Sequence, residues 1–131
     1  MTTTPKPLAS TAHLSTETVT EWVKGYIRAW RSNDRADIAA LFTEDAEYHE
    51  APFDTEWIGR AEIIEGWQSR WDWQAGGWTF DWSITNVDGM TAVITGIGRY
   101  TKLGDFDNVW TVTFDESGQS TRFEMLNTER S

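Results

Sequence analysis

The chain has 131 residues, a formal net charge of −10 and no cysteine. The acidic balance argues against nucleic acid and membrane partners, because phosphate backbones and anionic lipids would be repelled. The lack of cysteine excludes a disulfide framework, a thiol nucleophile and a cysteine–zinc site. Since His13 and His49 are the only histidines, a histidine-rich metal site is also excluded, and we expect neither a metal nor another cofactor.

The length is that of a single domain, and nine tryptophans supply much of the apolar surface that a core needs. Residues 1–14 are rich in Thr, Pro, Ala and Ser and contain no apolar segment. We therefore expect a disordered tail over 1–14, without a secretory signal, followed by one domain over 15–131. No apolar run approaches the length of a membrane span, which favours a cytoplasmic protein.

Two helices are predicted at the start of the domain. After the candidate N-cap residues Ser15 and Thr16, apolar side chains recur at the 3, 4, 7, 8 and 11 spacing of one helical face. This pattern predicts an amphipathic helix over about 17–31. Asn33 or Asp34 then caps a short second helix that is predicted to run through Phe42.

The middle of the chain is predicted to contain one strand, a loop and a third helix. In the strand 46–52, which its terminal proline ends, alternation places Tyr48 and Glu50 on one face. A loop over 53–59 follows. The third helix, about 60–73, is predicted to bury a stripe of apolar side chains: Ile63, Ile64, Trp67 and Trp71.

From Trp78 onward the hydrophobic period changes to two, which predicts strands. Asp88-Gly89 marks a hairpin turn, and the strand about 90–103 contains two glycines that permit a sharp bend. Gly104-Asp105 turns the chain into the next strand, and the last strand runs over about 120–128. Helices followed by a meander predict the α+β class, with an antiparallel sheet packed on the three helices.

The stretch Tyr26–Glu50 (YIRAWRSNDRADIAALFTEDAEYHE), with Pro52, Gly59 and the helix after it, resembles the nuclear transport factor 2 superfamily and, within it, the SnoaL-like branch. The superfamily contains steroid Δ-isomerases, polyketide cyclases, limonene epoxide hydrolases, scytalone dehydratases and non-enzymatic binding domains. The resemblance covers about residues 17–129. It implies a cone-shaped curved sheet and three helices that close around an apolar pocket.

The resemblance to ketosteroid isomerases implies three catalytic positions. It places the tyrosine of their first helix on Tyr26, their carboxylate base on Glu50, and a second donor, acidic in the isomerases, on Trp110. Such a trio fits proton abstraction beside a carbonyl or activation of water, because phenol and indole groups donate hydrogen bonds to a developing oxyanion. The alternative is that Tyr26 and Trp110 are core residues and that Glu50 pairs with an arginine at the pocket mouth.

Strand register and alignment assign further side chains to the pocket. The predicted ligand-binding residues are Trp30, Tyr48, Phe53, Trp57, Phe106, Asn108, Met125 and Asn127. The two asparagines either orient a ligand oxygen or lie at a wet rim. His49 follows Tyr48 and precedes Glu50, so alternation points it to the opposite face and no His–Glu dyad is expected.

Three functions stay open on the sequence alone. The first is an isomerase, cyclase or hydrolase that uses Glu50 as a general base on a small apolar ring ketone. The second is a non-catalytic carrier or sensor of an apolar small molecule, and the third is an interaction module with a vestigial pocket. A homodimer is expected through the outer sheet face, whose apolar positions are Val93, Ile97, Leu103, Val109 and Leu126.

Overall fold

Side-chain capping sets the bounds of the first helix. The structure is a computed structural model that describes residues 14–52 and 54–130. Helix α1 spans Thr16–Ser32, because the Ser15 hydroxyl accepts a backbone N–H of the first turn and Asn33 adopts the left-handed conformation at the end. The predicted amphipathic helix is confirmed, with its apolar face buried against the sheet.

The second and third helices are shorter than predicted. Helix α2 spans only Arg35–Ala39, capped by Asp34, and Phe42 belongs to the first strand instead. Helix α3 spans Arg60–Ser69 and gives way to a 3₁₀ turn, Trp71–Gln74. The tighter turn rotates side chains away from the face that α3 buries. The prediction that Trp71 is buried was therefore wrong, since 51% of its surface is exposed.

Six strands form one curved sheet in the order β2-β1-β6-β5-β4-β3. Their bounds are β1 Phe42–Ala51, β2 Thr55–Ile58, β3 Trp78–Asp88, β4 Thr91–Tyr100, β5 Gly104–Phe114 and β6 Ser120–Glu129. Strands β3 to β6 form the predicted antiparallel meander, whereas β1 joins β6 in parallel, so the sheet is mixed. The short edge strand β2, which pairs antiparallel with β1, occupies part of the predicted loop 53–59.

The α+β class is confirmed, with three helices of the N-terminal half packed on the sheet. The predicted inward register of β5 and β6 holds, because Trp110, Val112 and Phe123 are buried while Val109 and Leu126 are exposed. The core is strongly aromatic. Aromatic side chains from the inner face of the sheet and from the buried faces of the helices therefore pack together in one core.

The start of the described chain is tied to the fold. Leu14, predicted to belong to the disordered tail, donates its backbone N–H to the carbonyl of Gly89 at 3.1 Å and packs against the core. The rest of that predicted tail, residues 1–13, lies outside the described residues. Over 14–52 and 54–130, no helix combines the length and the apolar character that crossing a membrane requires.

Candidate active site

The sheet and helices enclose a cavity of about 430 Å³, within the range of small-molecule sites. Helix α1 and strands β1, β5 and β6 bring most of the predicted site residues to its wall. These are Tyr26, Trp30, Tyr48, Glu50, Phe106, Asn108, Trp110, Met125 and Asn127. The structure thus unites side chains from both ends of the sequence around one space.

Two predicted ligand-binding residues are not part of the described wall. Trp57 does not line the cavity; its ring stacks behind Tyr48, with 4.9 Å between ring centroids. This position follows from β2, which pairs Trp57 directly with Tyr48. Phe53 lies outside the described residues. Trp57 therefore supports the wall from behind.

Sequence reasoning missed several residues of the cavity wall. They are Ile27, Pro52, Arg70, Trp73, Trp78, Phe80, Gly98, Tyr100, Leu103 and Glu129. Leu103, predicted on the outer face, lines the cavity instead because it lies in the turn between β4 and β5 and not on a strand. One signal was available for Tyr100: the chain has only three tyrosines, and all three line this cavity.

Glu50 is the charged centre of the site. Only 8% of its surface is exposed, and both carboxylate oxygens accept hydrogen bonds. Arg70 Nη1 donates to Oε1 at 2.5 Å, and Asn127 Nδ2 donates to Oε2 at 2.8 Å. The arginine pairing considered from the sequence is thus present, and its partner comes from the C-terminal end of α3.

Arg70 is held by stacking as well as by charge. Its guanidinium lies over the ring of Trp57 at 4.6 Å and over the ring of Trp73 at 4.3 Å. Its second terminal nitrogen donates to the Thr55 hydroxyl at 2.8 Å. A planar guanidinium suits this combination of ring faces and hydrogen bonds, which fixes the cation beside Glu50.

A chain of hydrogen bonds connects Trp110 to Glu50. The Trp110 indole donates to Asn108 Oδ1 at 3.1 Å, and Asn108 Nδ2 donates to Asn127 Oδ1 at 2.9 Å. Asn127 in turn donates to Glu50. The Trp110 indole can only donate and the Glu50 carboxylate can only accept. Each of the two amides must therefore accept with its oxygen on the Trp110 side and donate with its nitrogen on the Glu50 side. Trp110 therefore reaches the carboxylate through Asn108 and Asn127, and its N–H is already engaged.

The three tyrosines form a second polar group in the cavity. The hydroxyls of Tyr26 and Tyr48 lie 3.0 Å apart and share a hydrogen bond, while the Trp30 indole donates to the Tyr100 hydroxyl at 3.0 Å. Burial raises the pKa of Tyr26 and Tyr48 well above the usual value and raises the pKa of Tyr100 to about 12. Repulsion from the Glu50 carboxylate is a second cause of the raised pKa at all three phenols, because it disfavours their negatively charged form.

The outer face of the sheet carries different chemistry. His49 points away from the cavity, as predicted, and its Nε2 lies 2.9 Å from Glu47 Oε1. Leu126 and Val109, paired in register, are 51% and 39% exposed on the same face. Homodimerisation through this face stays a prediction.

Gly66 gives a stability test of the wall behind Tyr48. Glycine inside a helix is usually less stable than alanine by about 0.5–1 kcal/mol. In α3, however, a Cβ at Gly66 would overlap the ring of Trp57. We expect Gly66→Ala to lower the free energy of unfolding by about 1–3 kcal/mol in urea titrations, because the ring that supports Tyr48 and Arg70 must move.

The control for this prediction is the second helical glycine. A Cβ at Gly25 in α1 would meet Leu41 Cδ2 at 3.2 Å, a flexible side-chain end that moves aside at small cost. Gly25→Ala should therefore change stability less than Gly66→Ala. A gain in stability from Gly66→Ala would contradict the packing of Trp57 on α3.

Comparison with known proteins gives the family. The sequence profile of the SnoaL-like domain matches residues 23–128, most of the chain. The chain belongs to the SnoaL-like family. No curated protein has significant sequence similarity to it. The resemblance noted in the sequence is confirmed, and the aromatic cavity lies where this SnoaL-like sheet curves around its helices.

Solved structures support the SnoaL-like fold. A protein of unknown function with a cystatin-like fold from Methylobium petroleophilum PM1 has 18% identity and a TM-score of 0.72, covering 91% of this chain and 81% of its own. A SnoaL-like protein of unknown function from Burkholderia thailandensis E264 has 12% identity and a TM-score of 0.71, covering 88% and 98%.

An enzyme has the same fold. SalBIII, an epoxide hydrolase/cyclase-like enzyme with a role in pyran ring formation in the polyether salinomycin, has 19% identity to this chain and a TM-score of 0.69. The alignment covers 86% of this chain and 92% of SalBIII. At such identities these similarities establish the fold and leave the chemistry to the residues of the cavity.

Proposed function

We propose that this SnoaL-like protein is an acid–base enzyme of the isomerase or cyclase type that acts on a small, apolar ring ketone, with Glu50 as the proton acceptor. The observation that carries the proposal is the placement of Glu50. Among the described residues it is the one buried carboxylate, and it lies in an aromatic cavity together with three phenols. Buried carboxylates in such pockets are typical of acid–base sites.

The chemistry needs a base and a hydrogen-bond donor on opposite parts of one substrate. Glu50 takes the proton from a carbon beside the carbonyl, and the electron pair of the broken C–H bond becomes the enolate. A phenol donates to the enolate oxygen, and return of the proton at another carbon completes an isomerisation. A carboxylate has about four lone-pair sites, so the bonds from Arg70 and Asn127 leave room for the substrate.

The same base also serves ring closure. On a conjugated ketone, Glu50 accepts the proton of a substrate hydroxyl while that oxygen bonds to the β-carbon, the electron pair of the carbon–carbon double bond passes to the carbonyl as an enolate, and return of the proton to the α-carbon completes the ring closure. SalBIII, which has this fold, is connected with pyran ring formation, and an oxygen nucleophile suits that kind of product. The aromatic wall would hold an apolar skeleton, with Glu50 at its reactive position.

A carrier or sensor is the second candidate, and a specific observation favours it. Both oxygens of Glu50 are already hydrogen-bonded, and Arg70 lies at ion-pair distance. In a carrier or sensor, a carboxylate with these partners is part of the wall of the binding pocket and does not accept a proton from the ligand. In that case the ligand would be recognised by the aromatic rings and phenols alone.

Solvent-deuterium incorporation into cyclic ketones, including steroid enones, separates the two candidates. The protein and its Glu50→Gln variant are compared by NMR in heavy water. We expect exchange to fall at least about 100-fold in Glu50→Gln, because the amide cannot accept the proton. Ketone affinity, measured by quenching of tryptophan fluorescence, should change only a few-fold, since the amide keeps the size of the carboxylate.

The control is Glu129→Gln, which removes a carboxylate from the exposed rim of the same cavity. It should leave the exchange rate unchanged. Exchange that survives in Glu50→Gln would refute the assigned base. Ketones that bind tightly without any exchange would instead identify the protein as a carrier or sensor.

A further inference from the structure

We propose that Tyr100 is the residue that donates a hydrogen bond to the carbonyl oxygen of the ligand, and that Trp30 positions it. This inference rests on the proposed function in taking a ketone as the ligand. It differs from the expectation raised by the sequence, which placed the oxyanion donors at Tyr26 and Trp110. Tyr100 lies at the end of β4, on the wall of the same cavity.

The hydrogen bond from Trp30 leaves the hydroxyl proton of Tyr100 free for another acceptor. An indole nitrogen only donates, so in the 3.0 Å contact the Tyr100 oxygen is the acceptor. The phenol proton of Tyr100 takes no part in that bond, and over 14–52 and 54–130 no acceptor for it is found. Tyr100 lines the cavity, so a carbonyl oxygen of a ligand bound there can accept this proton.

The other candidate donors are more committed. The Trp110 N–H is used on Asn108. Tyr26 and Tyr48 bond each other, and either one can be the donor, so their one spare proton has two possible positions. At Tyr100, by contrast, the hydroxyl proton that is free to bond a ligand always belongs to the same oxygen. Tyr100 is therefore the donor best prepared for an incoming carbonyl oxygen.

The surroundings of Tyr100 hold it in place. Its ring stacks on Trp78 with 5.9 Å between centroids. The Trp78 indole donates to Gln74 Oε1 at 2.7 Å, and the Gln74 amide donates to the backbone carbonyl of Trp30. Gln74 thus connects the two tryptophans that touch Tyr100. A donor fixed before the ligand arrives loses little freedom on binding.

The bond from Trp30 also makes the phenol a better donor. A hydroxyl whose oxygen accepts a hydrogen bond donates its own proton more strongly, because successive bonds polarise each other. The sequence Trp30, Tyr100, ligand oxygen is such a series. Trp30 acts through Tyr100 and is a positioning residue, whereas Tyr100 touches the ligand.

The test uses 1-tetralone labelled with carbon-13 at its carbonyl and tetralin, the hydrocarbon with the same ring skeleton. We expect the carbonyl stretch of bound 1-tetralone to lie at lower frequency in the infrared spectrum than that of 1-tetralone in an apolar solvent. Most of that movement should be lost in Tyr100→Phe and part of it in Trp30→Phe. The affinity ratio of 1-tetralone to tetralin, from tryptophan quenching, should fall about tenfold in Tyr100→Phe. A purely structural role would weaken both ligands equally.

Tyr48→Phe is the matched control, because it removes a phenol hydroxyl from the same cavity. A carbonyl shift that survives in Tyr100→Phe and disappears in Tyr48→Phe would overturn the assignment, as would failure of 1-tetralone to bind at all. If Tyr100→Phe does not fold by circular dichroism, an unchanged carbonyl shift in Trp30→Phe overturns it. If the carbonyl shift is lost in Tyr100→Phe but the unchanged protein catalyses no deuterium exchange, Tyr100 is the donor and the protein is not an enzyme acting on ketones. If the unchanged protein catalyses exchange but the carbonyl shift is the same in Tyr100→Phe, the protein is an enzyme and Tyr100 is not the donor.

Discussion

Replacing Arg70 with methionine is expected to lower the free energy of unfolding by about 3–5 kcal/mol. The cation is 12% exposed and lies 2.5 Å from a carboxylate whose side chain is 6% exposed. Removing one member of a buried ion pair leaves the other as an uncompensated charge, and that remaining charge dominates the cost. Methionine keeps an apolar side chain of similar length between Trp57 and Trp73, so most of the packing is retained.

Two further variants show whether the cost comes from the charge. In the double variant Glu50→Gln/Arg70→Met both charges are absent, and we expect most of the stability to return. Arg122→Met removes an exposed cation, 45% exposed, from its contacts with Glu47 and Glu124. It should cost at most about 1 kcal/mol, as surface pairs usually do. Equal losses from Arg70→Met and Arg122→Met in urea titrations would contradict a buried, structurally essential pair.

The sequence was sufficient for the elements with strong periodicity. The buried face of α1 and the alternation in β3 and β5 extend over ten or more residues, so helix and strand are easily distinguished. The edge strand β2 has only four residues, too few for a period to be recognised. The spacing of apolar residues in α3 continues into the 3₁₀ turn, but the turn has fewer residues per turn than an α-helix. The helical spacing therefore predicted that Trp71 is buried, whereas its side chain is exposed.

The site was predictable where strand register and family resemblance coincide. Glu50, Asn108 and Asn127 lie on strands, and alternation alone fixes the face on which each side chain lies. Arg70 was not predictable, because it lies just after α3 and reaches Glu50 only through the tertiary packing of Trp57. For the same reason the sequence could name Tyr26 and Trp110 but could not show that Trp110 already donates to Asn108.

Alkaline pH is expected to destabilise the protein more steeply than exposed tyrosines would allow. Unfolded tyrosines lose their protons near pH 10. In the folded protein burial raises the pKa of all three phenols: well above the usual value for Tyr26 and Tyr48, and to about 12 for Tyr100. Below pH 10 the phenols are neutral in both states and stability is unaffected. Between pH 10 and 12 the unfolded chain releases three protons that the folded chain retains, so stability falls as pH rises.

The expected slope is about 4 kcal/mol per pH unit, since each retained proton contributes roughly 1.4 kcal/mol per unit. Urea titrations between pH 9 and 11.5, together with tyrosinate absorbance, measure it. Native protein at pH 11 should show little tyrosinate, and Tyr48→Phe should reduce the slope by about a third. Half of the full tyrosinate absorbance at pH 10 in folded protein, the value for exposed tyrosines, would contradict the burial of the phenols. The burial that causes this weakness also keeps all three hydroxyls protonated at neutral pH, and only protonated phenols can donate to a ligand oxygen.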